Sequence, residues 1–246
     1  MINNKVLVVT GASRGIGAEI AYRAALAGYY VVINYNNSEE AAQKVCARIK
    51  NEGGKSVCIK ADVSDEAQVK KLCQNVLDLY GRVDVLVNNA GISSFSLFTD
   101  ITTELWDKTF DVNVKGQFLV TRAFLPSMIH RKEGKIINIS SVWGICGSSC
   151  EVHYSASKAA IIGMTKALAK EVGPSGICGN CVAPGVIDTE MNKALTPEDL
   201  KSLADETPLE RIGTACDVAK TVLFLASDDA SFITGQVISP NGGFVI

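Results

Sequence analysis

Tyr154 and Lys158 stand four residues apart in a segment with helical patterning, so both side chains lie on one face near the start of a helix. A free phenol has a pKa near ~10, a poor match for proton transfer near neutrality. A neighbouring ammonium favours the tyrosinate, which makes the phenol a better proton donor. Such a pair is common by chance, so its weight depends on what else is placed near it. Ser141 follows the apolar run 136–139 and offers a hydroxyl to an oxygen that is gaining negative charge. Ser140 competes for that part by position. Asn113 sits within a long helical stretch upstream.

These residues need a frame. Apolar runs at 6–9, 31–33, 57–59, 85–87, 136–139, 181–183 and 237–238 read as strands. Between them, 16–27, 39–50, 66–79, 104–128, 155–171 and 216–225 carry a helical period, and Gly28, Gly81 and Gly173 mark helix ends. Strand runs without polar alternation are covered on both faces. The pattern predicts an α/β fold with a doubly wound parallel sheet of about seven strands flanked by helices. Right-handed crossovers bring the strand carboxyl ends to one edge, where ligands bind. At that edge the first strand runs into Thr10-Gly11-Ala12-Ser13-Arg14-Gly15-Ile16-Gly17, which opens the first helix. Glycines there let the backbone approach a pyrophosphate, and the helix end supplies free N–H groups.

The 246 residues fit one domain, 1–246, and no linker, repeat or low-complexity run divides them. With 47% apolar and 20% charged residues the chain is of globular type. A net charge of −2 argues against general nucleic-acid binding. No apolar run approaches the ~18 residues of a membrane span. The first residues lead directly into a strand, so a cytoplasmic location without a signal peptide is expected. The eight cysteines lack framework spacing and read as reduced small residues. Cys178 and Cys181 form a C-x-x-C, but no second pair completes a metal site, and on a strand they face opposite sides.

The glycine motif, Asp62-Val63 after the third strand, Asn88-Asn89-Ala90-Gly91 after the fourth, Tyr154-x-x-x-Lys158 and Pro184-Gly185 after the sixth occur in this order. The chain thereby resembles the short-chain dehydrogenase/reductase family over nearly its whole length. The resemblance implies a Rossmann-type fold that binds a nicotinamide dinucleotide. It places Gly11, Ser13, Gly15, Ile16 and Gly17 at the pyrophosphate, Asp62 and Val63 at the adenine, and Asn89, Ala90 and Gly91 along the cleft. Pro184, Gly185, Ile187 and Thr189 fall near the nicotinamide. The catalytic set it implies is Asn113, Ser141, Tyr154 and Lys158, with Lys158 also holding the ribose and Asn113 anchoring a relay water. Ser141 is preferred to Ser140 because it directly precedes Val142-Trp143-Gly144. Residues 187–211 read as a substrate lid or a surface excursion. The family commonly forms homotetramers.

A carboxylate at the end of the second strand would bind a ribose 2′-hydroxyl and repel a 2′-phosphate. Here Asn34, Tyr35, Asn36 and Ser38 occupy that stretch, with no acid before Glu39. With Arg14 they favour NADP(H). The substrate remains open between two ketones. Residues 136–141 and 154–160 resemble 3-oxoacyl-acyl-carrier-protein reductases, although the basic patch for an acidic carrier is thinned to Arg131, Lys132 and Lys135. Residues 141–144 with 149–152 resemble a reductase of the 5-aminopentanone group on a lysine of elongation factor P. Trp143 and Glu151 then join the substrate site, and Glu151 pairs with a substrate ammonium or is a solvated loop residue. A non-catalytic cofactor sensor is the remaining alternative.

Overall fold

In a computed structural model, residues 5–192 and 195–246 are described. Seven parallel strands form one sheet: β1 Val6–Val9, β2 Tyr30–Tyr35, β3 Lys55–Lys60, β4 Val85–Asn88, β5 Gly134–Ile139, β6 Ile177–Val182 and β9 Val237–Ile238. Their order across it is β3-β2-β1-β4-β5-β6-β9. A second, two-stranded patch joins β7 Ile187–Asp188 to β8 Gly213–Thr214. Along β1 the side chains alternate between two cores: Leu7 and Val9 enter one, Val6 and Val8 the other. The first core is closed by α1 Gly15–Leu26, α2 Glu39–Asn51 and α9 Ala215–Ala226. The second is closed by α3 Glu66–Tyr80 and α5 Gly116–Arg131, together with the end of α7 Val152–Val172. A single short turn, α6 Trp143–Cys146, precedes α7. Both faces are therefore covered, as the unbroken apolar runs required. The strand order reverses between β1 and β4, which opens a crevice at their carboxyl ends.

Three local readings need correction and one needs refinement. The single helix expected over 104–128 is two: α4 Thr103–Phe110 and α5, joined by a π turn at Asp111–Lys115. Directly after the turn, Gly116 opens α5 against the loop that follows β3, where a side chain at Gly116 would lie 2.8 Å from Val63. Gly173 does mark the end of α7, directly after Val172, but in a right-handed rather than a left-handed conformation. The chain continues through a 3-10 turn and Gly176, at φ +71°, makes the left-handed stop. The segment 187–211, of which 193 and 194 lie outside the described residues, is more regular than expected. It contains β7 and α8 Pro197–Asp205, whose start is fixed by a Thr196–Asp199 capping box. Finally, Cys46 on α2 and Cys58 on β3 pair as a disulfide, so not every cysteine is a free thiol.

Cys178 and Cys181 do face opposite sides of β6, one part-exposed and one buried. Among the described residues no His/Cys/Asp/Glu group could hold a metal ion. Among them, too, no helix is long and apolar enough to cross a membrane.

Candidate active site

The glycine loop is built to let two backbone turns touch. A side chain at Gly17 would meet the Asn89 amide at 2.5 Å and the Gly11 carbonyl at 2.6 Å. Asn89 uses this proximity: its Nδ2 donates to the carbonyls of Thr10 and Gly11, both at 3.0 Å. The Thr10 hydroxyl accepts from the backbone N–H of Asn89 and Ala90. The turn after β1 and the turn after β4 are thus stapled together at the sheet reversal. The cradle leaves α1 with no side-chain cap, so its first N–H groups remain available to an anion.

The stretch after β2 divides. Asn34 and Tyr35 are buried, and Asn34 braces the strand ends through Ala61 and the Gly11 N–H. Asn36 and Ser38 face outward. Asn36 donates to Asp62 at 2.9 Å, and Ser38 accepts from Arg14 Nη2 at 2.6 Å. Burial opposes ionisation of Asp62, but hydrogen bonds from Ser64 and Asn36 outweigh it and hold the carboxyl below its ordinary range. Because Ser38 does not cap α2, a second helix N-terminus is open beside Arg14. Val63 lies buried beside Asp62. Across the cleft, Pro184 and Ile187 are buried, and Thr189 lies within 3.6 Å of the position a Gly15 side chain would take.

At the reacting end Asn113, Lys158, Tyr154 and Ser141 are 0, 3, 7 and 8% exposed. Lys158 Nζ donates to the Ile139 carbonyl at 3.0 Å and lies 5.5 Å from the Tyr154 ring centroid. Asn113 projects from the π turn and exchanges two hydrogen bonds with the Ile92 backbone, at 2.8 and 2.9 Å. Its Nδ2 also donates to Ser157. Gly91 sits over both groups, with Asn113 Oδ1 and Lys158 Nζ each 3.3 Å from its missing side chain. The structure separates the two serines. Ser140 donates to the Lys158 carbonyl at 2.7 Å, as a brace, whereas the Ser141 hydroxyl accepts from the Trp143 N–H at 3.2 Å and lies near enough to the Tyr154 phenol to lower its proton affinity.

Burial dominates the proton affinities here. It pushes the Tyr154 phenol above its ordinary range; the Ser141 hydroxyl pulls it back and the Glu151 carboxylate pushes it further. Burial also lowers Lys158 to about 8. Burial, rather than the lysine neighbour, therefore sets the proton affinity of the phenol.

Glu151 is not a solvated loop residue. It is 6% exposed, and its carboxyl receives the Ser93 hydroxyl. Burial raises its pKa, against that hydrogen bond. Ser94 meets His153 Nε2 at 3.0 Å, and Ser96 N–H donates to the Cys150 carbonyl at 2.8 Å. The loop after β4 is thus strapped to the start of α7. Trp143 packs edge-on against Phe244, with centroids 5.5 Å apart. Sequence reading missed Ser93, Ser157 and Phe244. Only Ser157, one helical turn after Tyr154, carried a local signal.

The basic residues considered for carrier docking lie elsewhere. Lys135 pairs in register with Val85, at the amino edge of the sheet opposite Ser141. Its Nζ donates to the Ala230 carbonyl, while Arg131 is engaged with Val83 and Ser127.

Residues 11–245 match the family described as Enoyl-(Acyl carrier protein) reductase. The chain is 43% identical over 240 residues to the 3-oxoacyl-acyl-carrier-protein reductase FabG of Staphylococcus epidermidis, covering 98% of each. It is 44% identical over 239 residues to the FabG of Staphylococcus aureus, covering 97% of each. A 3-oxoacyl-acyl-carrier-protein reductase of Synechocystis is 43% identical over 243 residues, 98% of this chain and 97% of the relative.

Proposed function

The chain belongs to the short-chain dehydrogenase/reductase family, and from that premise we propose that it is an NADPH-dependent reductase of a 3-oxoacyl ketone. The observation that carries this reading is the convergence of Tyr154, Ser141 and Lys158 beside the glycine loop at one sheet edge. The names of the curated relatives favour ketone over enoyl reduction. So does the pairing of two hydroxyls, Ser141 and Tyr154, which suits one carbonyl oxygen.

The cradle under Gly17, the uncapped α2 start and Arg14 fit a dinucleotide with a 2′-phosphate. When bound, the nicotinamide supplies the hydride that reaches the carbonyl carbon. Tyr154 gives its phenolic proton to the carbonyl oxygen as that oxygen takes up the electron pair. Ser141 donates a hydrogen bond to the same oxygen. The Lys158 ammonium offers donors to the ribose hydroxyls and stabilises the tyrosinate left behind. Asn113, through Ile92 and Ser157, fixes the walls around Lys158. The assembly we infer is a homotetramer. Gly163 on α7 has nothing within 4 Å of its side-chain position, which supports close packing there, and Phe118 is exposed on α5.

A second reading is favoured by one observation, the buried Glu151 beside Tyr154. A buried carboxylate whose hydrogen-bond partner among the described residues is the Ser93 hydroxyl suits a ketone bearing an ammonium, such as 5-aminopentanone on a lysine of elongation factor P. NADPH oxidation with a 3-oxoacyl thioester on acyl carrier protein, run beside the modified elongation factor, decides between them. At least tenfold faster turnover of the thioester is expected. The reverse order selects the second reading, and no oxidation with either overturns both.

A further inference from the structure

Arg14 joins two segments that the fold brings to opposite lips of the cofactor cleft. Its Nη2 donates to Ser38 at the start of α2, and its Nη1 meets Glu190 Oε2 at 2.9 Å. Glu190 lies 176 residues on, in the 3-10 turn Glu190–Asn192 that follows β7. That turn is closed on itself: Asn192 Nδ2 donates to the Ile187 carbonyl at 2.8 Å and its N–H to the Thr189 carbonyl at 3.1 Å. Thr189, just before the turn, stands over the glycine loop, its methyl 3.6 Å from the position a Gly15 side chain would take.

The assignment of Arg14 and Ser38 to the 2′-phosphate site gives this geometry a meaning, and the clasp proposed for Glu190 rests on that assignment. The guanidinium already holds an anion from its own chain. A dinucleotide with a free 2′-hydroxyl has no charge with which to replace it. A phosphate carries up to two charges and three acceptor oxygens, against one charge on the carboxylate. Arg14 and Glu190 are 56% and 48% exposed, and an exposed ion pair is held weakly enough to be exchanged.

We propose that Glu190 is a specificity-determining residue for the cofactor: it clasps Arg14, and a 2′-phosphate displaces it and frees the turn at 189–192, whereas a 2′-hydroxyl leaves the clasp closed. Glu190 thereby reduces the preference for the phosphorylated cofactor and makes release of the turn depend on that phosphate. The other end of the segment stays tied, because β7 remains paired with β8 through Ile187 and Asp188.

The test uses two fragments that lack the nicotinamide and cannot order Thr189 through it, 2′,5′-ADP and 5′-AMP. Amide hydrogen exchange at 190–192 should rise at least threefold with saturating 2′,5′-ADP and stay unchanged with 5′-AMP. Glu190→Ala should bind 2′,5′-ADP three- to fivefold more tightly and 5′-AMP equally, with exchange already raised in the free protein. In an Arg14→Ala background the gain from Glu190→Ala should vanish. If 2′,5′-ADP binds but exchange at 190–192 does not change, the clasp is wrong while the cofactor reading stands. A gain that persists without Arg14 also overturns it, because the carboxylate then repels phosphate through space only. If 2′,5′-ADP binds no better than 5′-AMP, the phosphate-site reading fails and takes the clasp with it.

Discussion

The Tyr154 end of the cleft, proposed as the reacting end, and the Arg14 end, proposed as the phosphate end, are organised in opposite ways. Tyr154, Ser141, Lys158 and Asn113 are nearly inaccessible, and neighbours on separate elements brace Lys158 and Asn113. Arg14 and Ser38 stand at the surface and are held by exchangeable partners. Proton transfer requires atoms placed in advance, because a misplaced donor loses rate steeply. Anion capture requires a partner that can be given up. The contrast is sharpest at Tyr154. Tyr154→Phe removes one hydroxyl from a braced site, so ketone reduction should fall about a thousandfold in kcat/KM with fold and cofactor affinity retained. Steady-state kinetics beside cofactor titration checks this, and near-normal turnover would show that the braced end does not carry the acid.

The next effect concerns what the bracing costs. Burial lowers Lys158 from 10.5 to about 8. Between those values the unfolded chain holds a proton that the folded chain releases, so folding stability should rise as pH climbs through that window. Below about 8 the full cost of the buried ammonium is present. Lys158→Met should therefore be more stable than the parent at pH 7, by on the order of 1–3 kcal/mol, while turnover drops about a hundredfold. The stability gap should narrow by pH 10. Urea denaturation at the two pH values measures it; a gap of constant size would mean that the amine is not strained by burial.

Legibility in the sequence divides along the same line. Strands covered on both faces leave unbroken apolar runs, so the sheet could be read directly. The glycine loop could be read because its residue types are dictated by close backbone contacts such as Gly17 against the Gly11 carbonyl. Ser141 was preferred to Ser140 on its neighbours, and one residue of offset gives the two hydroxyls different surroundings: Ser140 donates to the Lys158 carbonyl, and Ser141 accepts from the Trp143 N–H. The π turn at Asp111–Lys115 left no signal in the helical period of the segment. The helix α8 did leave one, in Thr196-Pro197 and Asp199, which the polar composition of the segment masked. Arg14–Glu190 and Ser93–Glu151 join residues 176 and 58 positions apart, and no pattern of spacing reveals such side-chain pairs.

Glu151 tests whether the reacting end is as closed to exchange as the contrast holds. Its carboxyl is buried, receives the Ser93 hydroxyl and raises the proton affinity of Tyr154. Glu151→Gln keeps a carbonyl oxygen for Ser93 and removes only the charge. A charge-assisted hydrogen bond to an ammonium contributes about 1.5–3 kcal/mol in full. Ser93 already occupies part of this carboxyl, and burial raises its pKa, so part of the population is neutral as pH falls. The expected loss is accordingly at the low end, roughly three- to tenfold in kcat/KM for an amine-bearing ketone, with an isosteric neutral ketone unaffected. The raised pKa sets the sign with pH: the preference of the parent for the amine should grow as pH rises through the carboxyl's titration and disappear below it, while the Gln variant shows no such dependence. Kinetics for both ketones, in both proteins and across that range, provide the measurement. An equal effect on the two ketones would confine Glu151 to strapping the loop after β4, and the reading with an ammonium-bearing substrate would lose its support.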